Sequence, residues 1–146
     1  MADIIPEQVI PHRGRMKLVD AVVDIEDGAA TTVSRVTDQW PLVEGDGVNP
    51  LVLIELAAQT SAITIGWPLL KKCGRAVQGR GLLVGIKSAV FDIQTIPMNS
   101  RIITRAVVNF KMDPYTEITG VSTLNGRRIG EVTLQTVRTD EESAND

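Results

Sequence analysis

Asn49–Trp67 reads NPLVLIELAAQTSAITIGW, an almost wholly apolar run that carries one carboxylate, Glu55, and one amide, Gln59. Asn49 suits a helix N-cap and Pro50 the first helical position, while Gly66, Trp67 and Pro68 mark the end. A helix apolar on nearly every side has to be wrapped by the rest of the chain. A carboxylate buried there without a partner costs several kcal/mol. The run therefore predicts a central helix holding a buried acid, with Gln59 one turn later on the same face.

Composition narrows what can surround that helix. The 146 residues fit one domain over residues 1–138, followed by an acidic tail, TDEESAND, over Thr139–Asp146. With 15 basic and 18 acidic residues the formal charge is −3, which disfavours nucleic acid as a partner. Aromatic residues are too scarce for a base-stacking platform. The single Cys73 excludes an internal disulfide and a cysteine-based metal cluster. It suggests a reducing cytoplasm, as does the lack of a recognisable signal peptide. The apolar run is too short, and too polar at Glu55 and Gln59, to span a membrane.

Outside the helix the chain reads as strands. Met16–Ile25 and Ala29–Val36 are two candidates, separated by the turn Glu26-Asp27-Gly28. An irregular loop over Thr37–Val48 leads into the helix, and a polar connection over Lys71–Gly79 leaves it. Gly81–Phe91 and Ser100–Lys111 follow, separated by the break Ile96-Pro97-Met98-Asn99. Thr116–Leu124 and Arg127–Arg138 form a hairpin through Asn125-Gly126, the strongest short hairpin signal in the chain. The residues before Pro11 suggest one short helical turn. Two strands, a long apolar helix and an antiparallel meander predict an α+β fold, a sheet wrapped around one helix.

Several segments, in order, resemble one family. Ile10-Pro11-His12-Arg13-Gly14 and Met16-Lys17-Leu18-Val19-Asp20 are similar to the opening of the 3-hydroxyacyl-[acyl carrier protein] dehydratases of fatty-acid synthesis. Glu55-Leu56-Ala57-Ala58-Gln59 resembles their helix motif. Leu83 to Phe91, with Ile96-Pro97, resembles the strand and break that follow. The likeness runs from about Ile10 to Arg138. One departure stands out: Pro41, in Trp40-Pro41-Leu42, occupies the place of the family's loop histidine. Asp46-Gly47-Val48-Asn49-Pro50 with Ile54-Glu55 more closely resembles a divergent branch, the dehydratase-like proteins of aryl-polyene biosynthesis clusters.

The resemblance implies a hot-dog fold, usually dimeric by edge-to-edge pairing of sheets, so a homodimer or a heterodimer with another hot-dog protein is expected. It also implies acyl thioesters as substrates, on acyl carrier protein or coenzyme A. Dehydration needs a base at C2, an acid for the departing 3-hydroxyl, and donors for the thioester oxygen. Glu55 suits the acid or the base, and Gln59 suits its orientation or contact with substrate. The amides of Val52 and Leu53, at the positive end of the helix, suit the thioester oxygen. Gly85 matches a substrate-binding position in the strand after the helix. His12 suits a missing base or a turn that ties down backbone; the related dehydratases keep this histidine beside a separate catalytic one. Asp38, Glu44 and Asp46 are loop acids, more commonly solvated than catalytic.

Lys71, Lys72, Arg75 and Arg80 cluster after the helix and suit docking of an acidic carrier protein, or simply solubilise a loop. Met16, Met98 and Met112 read as core or edge fillers. Cys73 reads as inert. Gly79 and Gly81 around Arg80 precede a strand and make no phosphate loop. No metal or organic cofactor is indicated, since His12 alone cannot build a transition-metal site. Two other functions fit the same resemblance: a hot-dog thioesterase using Glu55 to activate water, and a non-catalytic acyl-binding subunit of a hetero-complex.

Overall fold

A computed structural model describes residues 5–6, 16–73 and 81–138, with side chains over 5–6, 16–68 and 85–137. His12, Arg75, Arg80 and the acidic tail lie outside the described residues. Lys71 and Lys72 are described as backbone only.

The element order is β1 (Ala21–Glu26), β2 (Ala29–Arg35), β3 (Val43–Glu44), β4 (Gly47–Val48), α1 (Val52–Cys73), β5 (Gly81–Phe91), β6 (Ile96–Pro97), β7 (Arg101–Met112), β8 (Tyr115–Leu124) and β9 (Arg127–Arg138). Six strands form one antiparallel sheet in the order β1-β2-β7-β8-β9-β5, and β3-β4-β6 form a small second sheet. The helix lies across the inner face of the large sheet, against β2, β7, β8, β9 and the edge strand β5. This α+β arrangement is the hot-dog fold.

Period-two patterning explains the strands. Along β7, Ile102, Thr104 and Ala106 are buried while Arg101, Arg105 and Val107 are exposed. The β8–β9 turn has Asn125 at φ 53° and Gly126 at φ 79°, the positive values that tight hairpins require and that Asn-Gly tolerates. Leu53, Leu56 and Ile63 bury the helix underside almost completely; each such side chain contributes about 1.5–3 kcal/mol of transfer free energy. The helix packs tightly on the sheet at Gly120 of β8. A Cβ added there would stand 2.9 Å from the Ala57 Cβ, so a side chain would push the helix off.

Three expectations need correction. The helix does not end at Trp67 but runs through Pro68 to Cys73. A proline removes one backbone bond, and four preceding turns packed on the sheet carry the helix past it. The first strand begins at Ala21, not Met16, because the backbone groups of Met16, Leu18 and Val19 bond to Gln59 instead of a neighbouring strand. The loop before the helix and the Ile96-Pro97 break are also partly ordered, since β3, β4 and β6 pair with one another. Of the methionines, Met98 packs against the core, while Met16 and Met112 are exposed.

Candidate active site

The helix start is built as the sequence implies. The Asn49 side-chain oxygen accepts from Leu51 N at 2.9 Å, and its backbone oxygen accepts from Val52 N at 3.0 Å. Asn49 Nδ2 donates in turn to both carboxylate oxygens of Glu44, at 3.3 and 3.4 Å. Glu44 therefore supports the cap. Glu55 stands in the first turn, where the positive end of the helix favours negative charge.

Glu55 is half-buried, not buried as the apolar run suggested. It belongs to a helix side that the chain leaves half-open: Ile54, Ala58, Ala62 and Ile65 are partly exposed, and Leu51 is exposed. Spacings of three and four residues put these on one side of the helix. The sequence could not separate this side from the buried one, because both are apolar.

Gln59 is fully buried and bonded at every position of its amide. Its Oε1 accepts from Leu18 N at 2.9 Å and Val19 N at 3.4 Å. Its Nε2 donates to Met16 O at 2.6 Å and to Glu55 Oε2 at 3.1 Å. A primary amide has two hydrogens and two acceptor sites, so protein groups take all four. The amide expected to orient Glu55 or to contact substrate is thus bonded to Glu55 and to the backbone of residues 16–19. Sequence reasoning missed Met16, Leu18 and Val19, whose part is played by backbone groups that carry no side-chain signature.

Two further expectations fail on hydrogen bonding and register. Val52 N and Leu53 N already donate to Asn49 O and Pro50 O, at 3.0 and 2.9 Å, and both side chains are core. They are not available donors for a thioester oxygen, because the capping turn closes on them. Gly85 lies opposite Gln135, an exposed position next to buried Leu134. Register therefore sets Gly85 on the outer face of the sheet, opposite the face that the helix covers.

The outer face carries a second held carboxylate. Glu117 on β8, only 8% exposed, accepts from Lys87 Nζ at 2.9 Å and from Asn109 Nδ2 at 3.0 Å. The Lys87 hydrogen bond, then that of Asn109, holds its pKa below the ordinary 4.5 against the opposing effect of desolvation. Beside it runs a shallow groove lined by Phe110, Met112, Tyr115, Thr116, Glu117 and Gln135. Nothing in the sequence marked Glu117, which sits in an ordinary alternating strand.

A sheet wrapped on one helix makes this a hot-dog protein, with Glu55 and Gln59 on that helix as its candidate site. The match is specific: residues 4–144 fit the ApeP-like family, described as ApeP dehydratase, and the chain belongs to that family. No curated protein sequence is a significant match. Among solved structures, the dehydratase heterocomplex ApeI:P from Xenorhabdus doucetiae is similar over 99% of this chain and 97% of its own, with TM-score 0.84 and 18% identity. Cj0977, a sigma28-regulated virulence protein from Campylobacter jejuni, matches over 93% of this chain and 88% of its own, with TM-score 0.70 and 13% identity. A hypothetical thioesterase with coenzyme A from Streptococcus pneumoniae matches over 82% and 84%, with TM-score 0.64 and 13% identity. At these identities the structural likeness establishes the fold. Among the described residues, no helix is long and apolar enough to cross a membrane.

Proposed function

We propose that the protein dehydrates 3-hydroxyacyl thioesters carried by an acyl carrier protein in aryl-polyene, polyketide or fatty-acid biosynthesis, with Glu55 as the proton-transfer group. The observation that carries this reading is the position of Glu55. In a chain of the ApeP-like dehydratase family, it lies on the half-open side of an otherwise apolar helix, held by Gln59.

In this mechanism a base takes the C2 proton, and the freed electron pair forms the C2–C3 double bond. The C3–O bond breaks as Glu55 gives its proton to the hydroxyl, which leaves as water. The helix N-terminus behind Glu55 favours the carboxylate formed when the proton goes. We assign the base to His12, whose ordinary pKa near neutrality suits proton abstraction. Lys71, Lys72, Arg75 and Arg80 would dock the acidic carrier, which comes to a protein working in the cytoplasm.

A partner chain with the same fold belongs to this reading. Strand β5 ends the sheet and pairs only with β9 among the described residues. Ile86 and Val90 on it are exposed, and an edge strand with apolar side chains invites another strand. The similar ApeI:P structure is a dehydratase heterocomplex, which favours a different hot-dog protein over a second copy as the occupant of that edge.

The test mixes the protein, alone and with such a partner, with a 3-hydroxyacyl-carrier thioester and follows enoyl absorbance. Absorbance should rise, and Glu55→Gln should remove the rise. No rise under either condition counts against dehydration. Release of free thiol in place of an enoyl product moves the assignment to thioester hydrolysis.

A further inference from the structure

The outer face of the large sheet divides its cations into two groups. Lys87 meets Glu117, Arg105 meets Glu26, and Arg128 meets both Asp92 and Glu131. Arg35 and Arg101 make no ion pair among the described residues, although the chain holds 18 acidic residues against 15 basic ones.

These two arginines stand directly opposite each other, because Arg35 of β2 is the register partner of Arg101 of β7. Partners in an antiparallel pair share a face, and the next pair, Ser34 and Ile102, is buried on the inner one. Both arginines therefore project from the outer face, where each is exposed. Val36 N donates to Ser100 O at 2.9 Å, which makes Arg35 and Arg101 a non-hydrogen-bonded pair, the kind whose side chains stand closer. Like charges set directly opposite each other oppose folding.

The local structure nevertheless holds one of them in place. Asn99, at φ 65°, offers its carbonyl to Arg35 Nη1 at 3.3 Å. Asp20 Oδ2 accepts from Arg35 N at 2.7 Å and forms no ion pair with the guanidinium. One guanidinium is thus held by a carbonyl, and the other faces it across the ladder with no partner among the described residues. Two guanidinium groups present forks of N–H donors that match the oxygens of a tetrahedral anion. A phosphate between them would replace repulsion with charge-assisted hydrogen bonds on both sides.

We infer that Arg35 and Arg101 form an oxyanion site that takes a phosphate group, free or as a monoester. It lies on the sheet face opposite the helix, so it does not rest on the reading of Glu55 as the proton-transfer group.

Thermal melts of the full chain test the site. Millimolar inorganic phosphate or coenzyme A should raise the parent Tm by about 2 °C or more above sodium chloride of equal ionic strength. Arg101→Gln removes an exposed side chain without a described partner and should abolish that gain, as should Arg35→Gln. In chloride at low ionic strength Arg101→Gln should melt no lower than the parent, because repulsion across the ladder is relieved. Arg128→Gln, which breaks the pairs with Asp92 and Glu131, should keep the phosphate gain. Dephospho-coenzyme A, which lacks the terminal monoester, separates the sources. An Arg101-dependent gain from coenzyme A that dephosphorylation removes supports an esterified ligand, and one from inorganic phosphate alone supports the free ion. A parent that shows no Arg101-dependent gain from either probe overturns the proposal. So does an equal loss of the gain in Arg128→Gln, since any cation on that face would then serve.

Discussion

Glu55 and Glu117 are two carboxylates, each bonded by the side-chain amide of a nearby residue, and they sit on opposite sides of the same sheet. Glu55 receives Gln59 Nε2 at 3.1 Å; Glu117 receives Asn109 Nδ2 at 3.0 Å. The more buried of the two is Glu117, which also pairs with Lys87 Nζ at 2.9 Å. A cation and an amide together fix Glu117 in its ionised form and tie β5 to β8 across β9. Glu55 instead stands on a half-open helix side, in the first turn, with its orientation set by an amide that is itself held by backbone. Burial of a carboxylate therefore does not by itself mark a chemical role; the half-open helix side is what sets the candidate catalytic acid apart.

Exchanging each acid for its amide gives the widest separation. Glu55→Gln should lower dehydration kcat by about 10²–10⁴-fold, the usual contribution of a positioned acid or base, with little change in Tm. Glu117→Gln should leave kcat within about twofold, because the outer face takes no part in the chemistry. Paired enoyl-absorbance assays check both, and equal losses would erase the distinction between the two sites.

Removing the cation asks the stability question. Lys87→Met leaves Glu117 with only Asn109, so Tm measured by calorimetry near neutral pH should fall. The pH dependence has a definite sign. The folded state holds the Glu117 pKa below its unfolded value, so the group's stabilising contribution is complete above the unfolded value and disappears as pH falls through the folded one. The Tm gap between parent and Lys87→Met should accordingly be widest near neutrality and close on acidification below about pH 4. A gap that widens in acid would mean that Lys87 stabilises by some other contact.

The smallest effect concerns hydroxyls under the helix. Thr32 and Thr60 bond each other at 2.9 Å, as do Thr104 and Ser122, whereas the buried Ser34 and Ser61 hydroxyls lack a hydrogen-bond partner among the described residues. Ser34→Ala should change unfolding free energy by about 0.5 kcal/mol or less, or raise it, since no bond is lost. Thr32→Val should cost about 0.5–1.5 kcal/mol by losing its bond to Thr60, whose hydroxyl keeps its donation to Leu56 O. Chemical denaturation of the two variants compares a paired with an unpaired buried hydroxyl directly.

Much of this architecture was legible along the chain. Asn49 and Pro50 announced the helix start, Asn125-Gly126 the last hairpin, and the alternation through β7, β8 and β9 the sheet. Glu55 and Gln59 stood out because a polar pair four residues apart interrupts an apolar run. Signals failed where the deciding partner was remote in sequence. Gln59 bonds backbone some forty residues earlier, and backbone groups look alike in every residue. The amides of Val52 and Leu53 looked available until the geometry of the capping turn closed on them. Glu117 resembled any outward-facing strand residue until register set it beside Asn109 and across from Lys87.

Local chemistry along the sequence determined the elements, their order and the acid–amide pair, because caps, turns and periodicity act between residues a few positions apart. Tertiary structure alone decided which side of the helix stays open, which end of the Gln59 amide meets Glu55, and that Lys87 meets Glu117. Those choices depend on contacts between groups far apart in the chain or on different elements, and only packing of helix, sheet and the Met16–Val19 backbone brings such groups within bonding distance.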